Sequence, residues 1–465
     1  MNHKQVLQNN STLAEFPGNP QPEKSQQAWM AILGLGLFST LCILGGGTAK
    51  ILNLAFPAGA LAVAVFLYRR YPLFYVSFTW WMFFLTPFVR RLVDWKAGFT
   101  DPSPILLTPF LVAMVTLVTF YRNFPKSYGQ GGFPFILPIC SVFYSFLIAL
   151  ILNPPVSAVL SFQGWISPIL FGFHLFVNWR DYPSYRQNIE RTFLWGVLVT
   201  GAYGVYQYLI APEWDRLWLV ETKLYTSMGN PEPLGMRVWS TMNSPLHFAA
   251  VSIAGLMLLF TNQGFLRLPA SVFGYLAFML TTVRTAWGGW FVAFITFTTS
   301  LKPRLQMRLI VTILVMAACT VPLATIDPFS QVILSRFSSF SNIGEDQSLN
   351  DRQALYNLLF NEALNEFIGK GIGSTGPIDS GILELLFSFG WLGIIPYVSG
   401  IFMLFFSLFQ SREVRNDPFA SCARAISFSF ISMLPGSGMT SGLFGMLFWG
   451  FIGIGMAAIK YHKNQ

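Results

Sequence analysis

Two arginines at the borders of long apolar runs are the residues of this chain best suited to bind an anionic group. Arg237 lies in Gly235-Met-Arg-Val-Trp-Ser-Thr-Met-Asn-Ser-Pro-Leu-His-Phe-Ala249, which leads from a polar stretch into an apolar run. Arg284 lies in Thr281-Thr-Val-Arg-Thr-Ala-Trp-Gly-Gly289, in a tight turn between two apolar runs. A guanidinium matches a phosphate with a planar fork of donors and stays charged at any relevant pH. The two side chains therefore suit a diphosphate, although each one alone also suits the headgroups of a membrane.

A second polar stretch, residues 327–380, supplies two further candidates. Asp379 stands just before an apolar run, a position that predicts an N-cap of the following helix. The alternative is that its carboxylate orients or deprotonates an attacking hydroxyl, and both roles can hold at once. Arg352 ends the motif Asp346-Gln-Ser-Leu-Asn-Asp-Arg352, which predicts the start of a helix. Its side chain either forms an ion pair with a nearby acid such as Asp346 or Asp351, or reaches the same site as the other two arginines. His247 is more typical of a packing histidine than of a catalyst.

Between Gln353 and Ile368, apolar residues recur at helical spacing and predict an amphipathic helix on the membrane surface: Leu355, Leu358, Leu359, Ala363 and Phe367. The next motif, Gly369-Lys-Gly-Ile-Gly-Ser-Thr-Gly376, lacks the strand and the Lys-Ser/Thr ending of a nucleotide loop. Its simplest role is a sharp turn from this surface helix into the next apolar run.

The elements that must position these residues are membrane helices. The chain of 465 residues is 53% hydrophobic and 11% charged, with a mean hydropathy of +0.52. This composition predicts an all-α polytopic membrane protein. Windows of roughly 20 apolar residues give about 12 to 14 transmembrane helices and a large extracytoplasmic loop. The candidate spans begin near Ala28, Ile51, Tyr71, Ile105, Phe133, Val156, Thr192, Ser244, Phe265, Thr285, Leu309, Gly381, Phe419 and Ser441.

Composition also divides the chain into segments. A polar leader, expected to be disordered, covers residues 1–27, and an N-terminal transmembrane bundle covers 28–211. An external loop (212–243) precedes the transmembrane helices that carry the Arg284 hairpin (244–326). A large external loop (327–380) then leads to the C-terminal transmembrane helices (381–465). The run from Gly381 to Phe409 contains Gly390, Gly393 and Pro396, so it is expected to break or tilt.

The charges of the short loops predict the orientation, because Lys and Arg are retained on the cytoplasmic side. With both termini in the cytoplasm, the two long polar loops and Arg284 face outside. The inner loops then carry Arg69, Arg70, Arg122, Lys126, Arg180, Arg186, Arg191, Lys302, Arg304, Arg308, Arg412, Arg415 and Arg424. One loop disagrees: Arg90, Arg91 and Lys96 fall outside, either through a miscounted span or as a basic patch facing lipid phosphates.

The net charge of +9 is largely explained by the Lys and Arg residues of the predicted cytoplasmic loops. The charge is therefore no indication of a nucleic-acid partner. Neither outer loop contains an Asp-x-Asp pair, so no divalent metal is expected to bridge a diphosphate. No cofactor is indicated either. The outer arginines suffice to stabilise a departing phosphate.

The order and spacing of these motifs resemble the O-antigen polymerase and ligase family. The resemblance covers roughly Tyr203 to Gly400. It rests on the segment ending in Asn243-Ser-Pro245, on the Arg284 hairpin, and on the three motifs of the second loop. Those three are Asp346 to Arg352, Ile368-Gly-Lys-Gly-Ile-Gly373 and Asp379-Ser-Gly-Ile-Leu-Glu-Leu-Leu-Phe-Ser-Phe-Gly390. The first half of the chain is similar only in being hydrophobic.

The resemblance implies a membrane glycosyltransferase similar to the GT-C type, at the outer face of the bacterial inner membrane. Its partners would be a polyprenyl diphosphate-linked oligosaccharide donor, a lipid-linked acceptor, membrane lipid and other polysaccharide assembly proteins. Arg237, Arg284 and Arg352 would hold the diphosphate, and Asp379 with Arg284 would act in catalysis. The expected reaction is metal-independent and inverts the anomeric carbon.

Two departures and three rival interpretations bear on this expectation. The ligase branch commonly has a histidine before the span that follows the large loop, and this loop has none, which favours the polymerase branch. Val283 stands where the family often has serine. The alternatives are a ligase-type glycan transferase, a transporter of lipid-linked sugars or small anions, and an assembly protein whose glycine-rich last span packs on another subunit.

Overall fold

The protein is all-helical in the residues that its computed structural model describes. These residues are 22–262, 264–301, 303, 306, 307, 309, 310, 347–374, 380–436 and 441–465. They contain no β-strand, and one isolated bridge joins Gly229 to Met236. Nine helices in this part of the chain are long and apolar enough to cross a membrane by length and composition. The predicted class, an all-α multi-pass membrane protein, is confirmed to that extent.

A helix lies at each predicted span that the structure describes, whereas the span predicted from Leu309 falls almost wholly outside those residues. In chain order the helices are α1 (Pro22–Leu44), α2 (Leu52–Arg70), α3 (Pro72–Ala97), α4 (Thr108–Met114), α5 (Leu117–Ser127), α6 (Phe133–Leu152), α7 (Pro155–Val177), α8 (Tyr182–Ile210), α9 (Glu213–Thr222), α10 (Tyr225–Met228), α11 (Pro245–Leu258), α12 (Arg267–Leu280), α13 (Arg284–Thr298), α14 (Gln347–Asn365), α15 (Gly381–Gln410), α16 (Arg412–Asn416), α17 (Pro418–Met433) and α18 (Gly442–Lys463).

Several basic residues predicted to lie in loops belong to helices instead. Arg186 and Arg191 lie in the first turns of α8, which begins at Tyr182 rather than near Thr192. Arg424 lies inside α17, where its guanidinium stacks on the ring of Phe409 at 4.8 Å. The helices thus continue past the end of their apolar runs, because packing against neighbouring helices stabilises the extra turns.

The helix ends gather on two faces. The loop face is defined by Arg237, His247, Thr281, Gly373 and Gly442; on it the ring of His247 lies 4.8 Å from that of Phe444, and Ser157 donates to the Gly373 carbonyl at 3.4 Å. The basic face is defined by Arg69, Arg122, Arg186, Asp417 and Lys460; on it the Lys460 ammonium donates to the carbonyl of Gln130 at 3.1 Å.

Asp417 ties three helices together on the basic face. Its carboxylate accepts hydrogen bonds from the Tyr182 hydroxyl at 2.6 Å and from the backbone N–H groups of Phe419 and Ala420, so it is also the N-cap of α17. His462 of α18 and Arg186 of α8 lie 3.1 and 3.4 Å from the same group. Burial alone would raise the pKa of Asp417, but these donors and charges lower it below its usual range.

The last helix, α18, is the central one. Of its apolar window 94% is buried, and it packs chiefly along α7. At the crossing Gly453 faces Gly172: a methyl group added to Gly453 would overlap the Gly172 carbonyl oxygen, and one added to Gly172 would overlap that of Trp449. Glycines permit this close backbone approach. The glycine-rich helix therefore packs within its own chain, not on another subunit.

A methyl group at this crossing is expected to destabilise the protein. We predict that Gly453→Ala lowers the free energy of unfolding by about 1–3 kcal/mol, the usual result of overpacking a close contact. Gly36→Ala on α1 is the matched control, because nothing lies within 4 Å of the added carbon there. Thermal unfolding in a neutral detergent measures both. Equal unfolding temperatures for the two variants would contradict the predicted contact.

The apolar run from Gly381 breaks as predicted, at Gly390 (φ 57°, ψ −178°) within α15. The segment Glu366 to Lys370 pairs with the break: Lys370 N donates to Phe387 O at 2.7 Å, while Trp391 N and Leu392 N donate to Glu366 O and Phe367 O. The three glycines that follow all have positive φ and pack closely on neighbouring helices. Gly369 contacts Gly390, Gly371 contacts α6 and Gly373 contacts α7. This glycine-rich segment is more than a turn, because it packs between helices.

The helix predicted before the glycine-rich segment is present as α14. Its side chains at Tyr356, Leu359, Phe360 and Ala363 pack on Leu383, Leu386 and Phe387 of α15. Leu358 and Phe367, predicted for the same apolar face, are exposed. The buried face is therefore narrower than the sequence pattern indicates.

Candidate functional site on the loop face

The segment predicted to be the first external loop forms a compact cap. Residues 211–243 contain α9 and α10 and form their own small core from Ala211, Trp218, Leu219, Met228, Met236 and Trp239. The end of α10 pairs with the segment that carries Arg237, because Arg237 N donates to Met228 O at 2.9 Å. This packing fixes the segment that carries Arg237.

A buried ion pair anchors the cap to the helices below it. Arg91 Nε lies 2.9 Å from Asp215 Oδ1 without hydrogen-bond geometry, and both side chains are fully buried. The remaining Asp215 oxygen accepts from Tyr203 at 2.7 Å and from Gln207 at 2.8 Å. Burial raises the pKa of the Asp215 carboxyl, while Arg91 and the two hydrogen bonds act in the opposite direction.

The structure corrects the prediction of a basic loop at residues 90–96. Arg90 and Arg91 lie inside α3, and neither forms a patch facing lipid. Arg90 Nε donates to Asp94 at 3.1 Å, and Arg91 is paired with Asp215. A buried guanidinium requires acceptors on all sides, and these arginines find them in the polypeptide itself.

The same network holds the chain between Arg237 and the start of α11. Arg91 donates to Met242 O at 2.7 Å and to Ser240 O at 2.5 Å. Gln207 accepts from the N–H groups of Trp239 and Ser240 at 3.1 and 2.8 Å. Ser240 has a φ of 54°, which a residue with a side chain adopts only when its surroundings require it.

Arg237 connects the cap to the Arg284 hairpin. Its Nε donates to Thr281 O at 3.0 Å and its Nη1 to Ser227 O at 2.7 Å, and the side chain is half-buried. Val238 N also donates to Leu280 O at 3.1 Å. Two segments predicted independently to bind a diphosphate thus meet on the loop face.

Arg284 is the first residue of α13 and is half-buried, three residues after the carbonyl that Arg237 contacts. The predicted tight turn between α12 and α13 is therefore present. Thr282 in this turn has a φ of 53°, and Val283 N donates to Thr281 Oγ1 at 3.3 Å. Positive φ is rare for a β-branched residue, and such strain is concentrated at functional sites.

The start of α11 contributes a serine and a histidine. Ser244 is the N-cap of α11 and accepts from His247 N at 3.2 Å, while its Oγ lies 2.5 Å from His247 Nδ1. The imidazole packs against the ring of Phe444. His247 therefore has the packing contacts that the sequence favoured.

The helices that begin on this face include α7, α11, α13, α15 and α18. Unpaired N–H groups give each N-terminus a partial positive charge, which adds to the two guanidiniums. Glu384 is the acidic residue in the first turn of α15. The side chain of Arg352 and all of Asp379 lie outside the described residues, so their predicted roles stay predictions.

Sequence reasoning missed the Arg91–Asp215 pair, because its members are far apart in the chain. Each position has another charged residue beside it, Arg90 next to Arg91 and Arg216 next to Asp215, and no local pattern joins the two. In the residues that the structure describes, no group of three or more His, Cys, Asp or Glu side chains is placed to hold a metal ion.

No protein-family model matches this chain, and no curated protein matches it in sequence. Its function is therefore inferred from the geometry of the loop face and from the sequence motifs.

Proposed function

We propose that this protein is a polysaccharide polymerase. It transfers a glycan from a polyprenyl diphosphate carrier onto a lipid-linked repeat unit at the outer face of a bacterial inner membrane. The observation that carries the proposal is the hydrogen bond from Arg237 to Thr281 O, which joins the cap to the Arg284 hairpin. Both guanidiniums belong to a face where several helix N-termini also favour an anion.

The proposed topology follows from the same two faces. About 12 to 14 transmembrane helices, in a fold similar to the GT-C type, would place both termini in the cytoplasm. The basic face would be cytoplasmic, since Arg69, Arg122, Arg186 and Lys460 lie there. The loop face would then be external, where a lipid-linked sugar can enter from the outer leaflet.

The reaction needs three contributions from the chain. The acceptor hydroxyl attacks the anomeric carbon while the bond from that carbon to the diphosphate oxygen breaks, and the configuration inverts. Asp379 takes the hydroxyl proton in this proposal. Arg237 and Arg284, with Arg352, stabilise the charge that develops on the leaving diphosphate. The fixed cap contributes by holding Arg237 in place before the substrate binds.

The test is the glycan pattern of the native host after deletion of the gene. We expect single repeat units to accumulate on the carrier lipid while long chains disappear. Finished polymer that remains on the carrier would support a ligase instead, and unchanged glycans would contradict both and favour a transporter.

The role of Asp379 is tested by complementing the deletion strain. We expect Asp379→Asn to reduce chain elongation by about 10²- to 10⁴-fold, because the proton acceptor is lost. Glu384→Gln is the matched control on the same face and should restore long chains. Full elongation by Asp379→Asn, at normal protein level, would remove Asp379 from the mechanism.

A further inference from the structure

A polar cavity opens on the basic face, remote from the loop face. Its volume is about 440 Å³, and it lies where the ends of α2 and α7 meet α5 and the start of α8. Small-molecule sites typically occupy roughly 300–1,000 Å³. The cavity is therefore large enough for a phosphorylated headgroup.

Two arginines stand at the open end of the cavity. Arg69 and Arg122 both line it and are exposed. Within the described part of the chain, neither guanidinium has a hydrogen bond, an ion pair or a ring contact. Asp181 also lines the cavity and supplies the one opposing carboxylate. The lining is thus net positive, and its charged donors are not used by the fold.

The inner end is built from a chain of hydroxyl and imidazole groups. Tyr68 OH lies 2.7 Å from Thr119 Oγ1, which lies 2.7 Å from Nδ1 of His174. The Asn178 amide nitrogen, which can only donate, lies 3.3 Å from the same Nδ1. Nδ1 is therefore the acceptor, and the proton of a neutral ring sits on Nε2.

Among the residues that the structure describes, His174 Nε2 has no hydrogen-bond partner, although the side chain is only 3% exposed. A buried donor left unpaired costs free energy, and most such groups are satisfied by a protein atom, a water or a ligand. The two guanidiniums and the amides of Asn123 and Asn178 therefore line the cavity with donors suited to one acceptor-rich group.

We infer that this cavity binds a phosphate group, carried either by a lipid headgroup or by a small soluble molecule. The arginines hold the phosphate oxygens as forked donors, and the side-chain amides of Asn123 and Asn178, which line the cavity, contact the polar part behind it. The site lies on the face opposite the proposed polymerase site, so it does not depend on that function.

A general attraction of surface arginines to anionic lipid is the competing explanation. Arg70 separates the two explanations, because it is exposed and adjacent to Arg69 but does not line the cavity. A general attraction would involve Arg70 as much as its neighbour. Binding in the cavity would involve Arg69 and Arg122 but not Arg70.

The test uses the full-length protein with two probes. Inorganic pyrophosphate is titrated against protein in a neutral detergent, with thermal unfolding as the readout. Protein is also reconstituted in phosphatidylcholine bilayers with or without phosphatidylglycerol, and native mass spectrometry counts the lipids it retains. The variants are Arg69→Gln with Arg122→Gln, the charge-conserving Arg69→Lys with Arg122→Lys, and the control Arg70→Gln.

We expect wild type and Arg70→Gln to bind at least one probe, and the double glutamine variant to bind it about tenfold more weakly. Pyrophosphate binding would indicate a soluble ligand, and retention of phosphatidylglycerol a lipid headgroup. If the glutamine variant does not fold, weaker binding by the lysine variant gives the same support. Binding of neither probe to wild type, or equal losses in Arg70→Gln, would overturn the inference.

Discussion

Arg284→Ala is expected to lower the rate of glycan polymerisation by about 10²- to 10³-fold, because one donor to the developing diphosphate charge is lost. The protein should still fold, since the side chain is half-buried at the first position of α13 and the turn before it is held by backbone contacts. The measurement is the initial rate of chain elongation by purified protein in proteoliposomes with a lipid-linked repeat unit.

The matched control is Arg267→Ala. Arg267 begins α12, the partner helix of the same hairpin, but lies at its opposite end. Its loss should leave the elongation rate within a small factor of wild type. Arg284→Lys should recover part of the rate, because it restores the charge without the bidentate fork. A folded Arg284→Ala protein that elongates at the wild-type rate would remove this arginine from the site.

The second large effect is expected on stability. Arg91→Ala should lower the free energy of unfolding by about 3–5 kcal/mol, because it leaves Asp215 buried and unpaired. Both side chains of the pair are fully buried, so Asp215 would keep only its hydrogen bonds from Tyr203 and Gln207. Unfolding temperature and yield of folded protein in detergent are the measurements.

Replacing both members tests whether the pair, rather than the site volume, causes this loss. The double variant Arg91→Met with Asp215→Leu should regain part of the stability, because no buried charge remains, whereas the Ser240 and Met242 carbonyls still lose their donor. Lys96→Ala is the control on the same helix, since Lys96 is exposed. If Arg91→Ala were as stable as Lys96→Ala, the ion pair would not be what fixes the cap.

The positions of the membrane helices were predictable, because apolar run length is set by membrane thickness and does not depend on tertiary partners. The break at Gly390 was also predictable from the glycines and proline within one long run. The start of α8 was not, since its first turns are polar and are stabilised by contacts such as Tyr182 with Asp417. Local hydropathy contains no information about such contacts.

The candidate site was predicted in part. The adjoining apolar runs indicate Arg237 and Arg284, and the structure brings their segments together through Thr281. The sequence could not show why Arg237 is held there, because the support comes from Arg91, Gln207 and Asp215 across separate helices. Nor could it show the left-handed Thr282, since no local residue preference requires that conformation.

The break in α15 has a consequence for the whole polar segment before it. Hydrocarbon offers no partner to the backbone groups that an interrupted helix exposes, so such a break must be paired elsewhere in the protein. Here the chain from Glu366 to Lys370 supplies those partners as both donor and acceptor. The segment thus provides the hydrogen bonds that water would provide to an exposed helix break. Shortening the segment would leave backbone N–H and C=O groups of α15 without partners in the hydrocarbon.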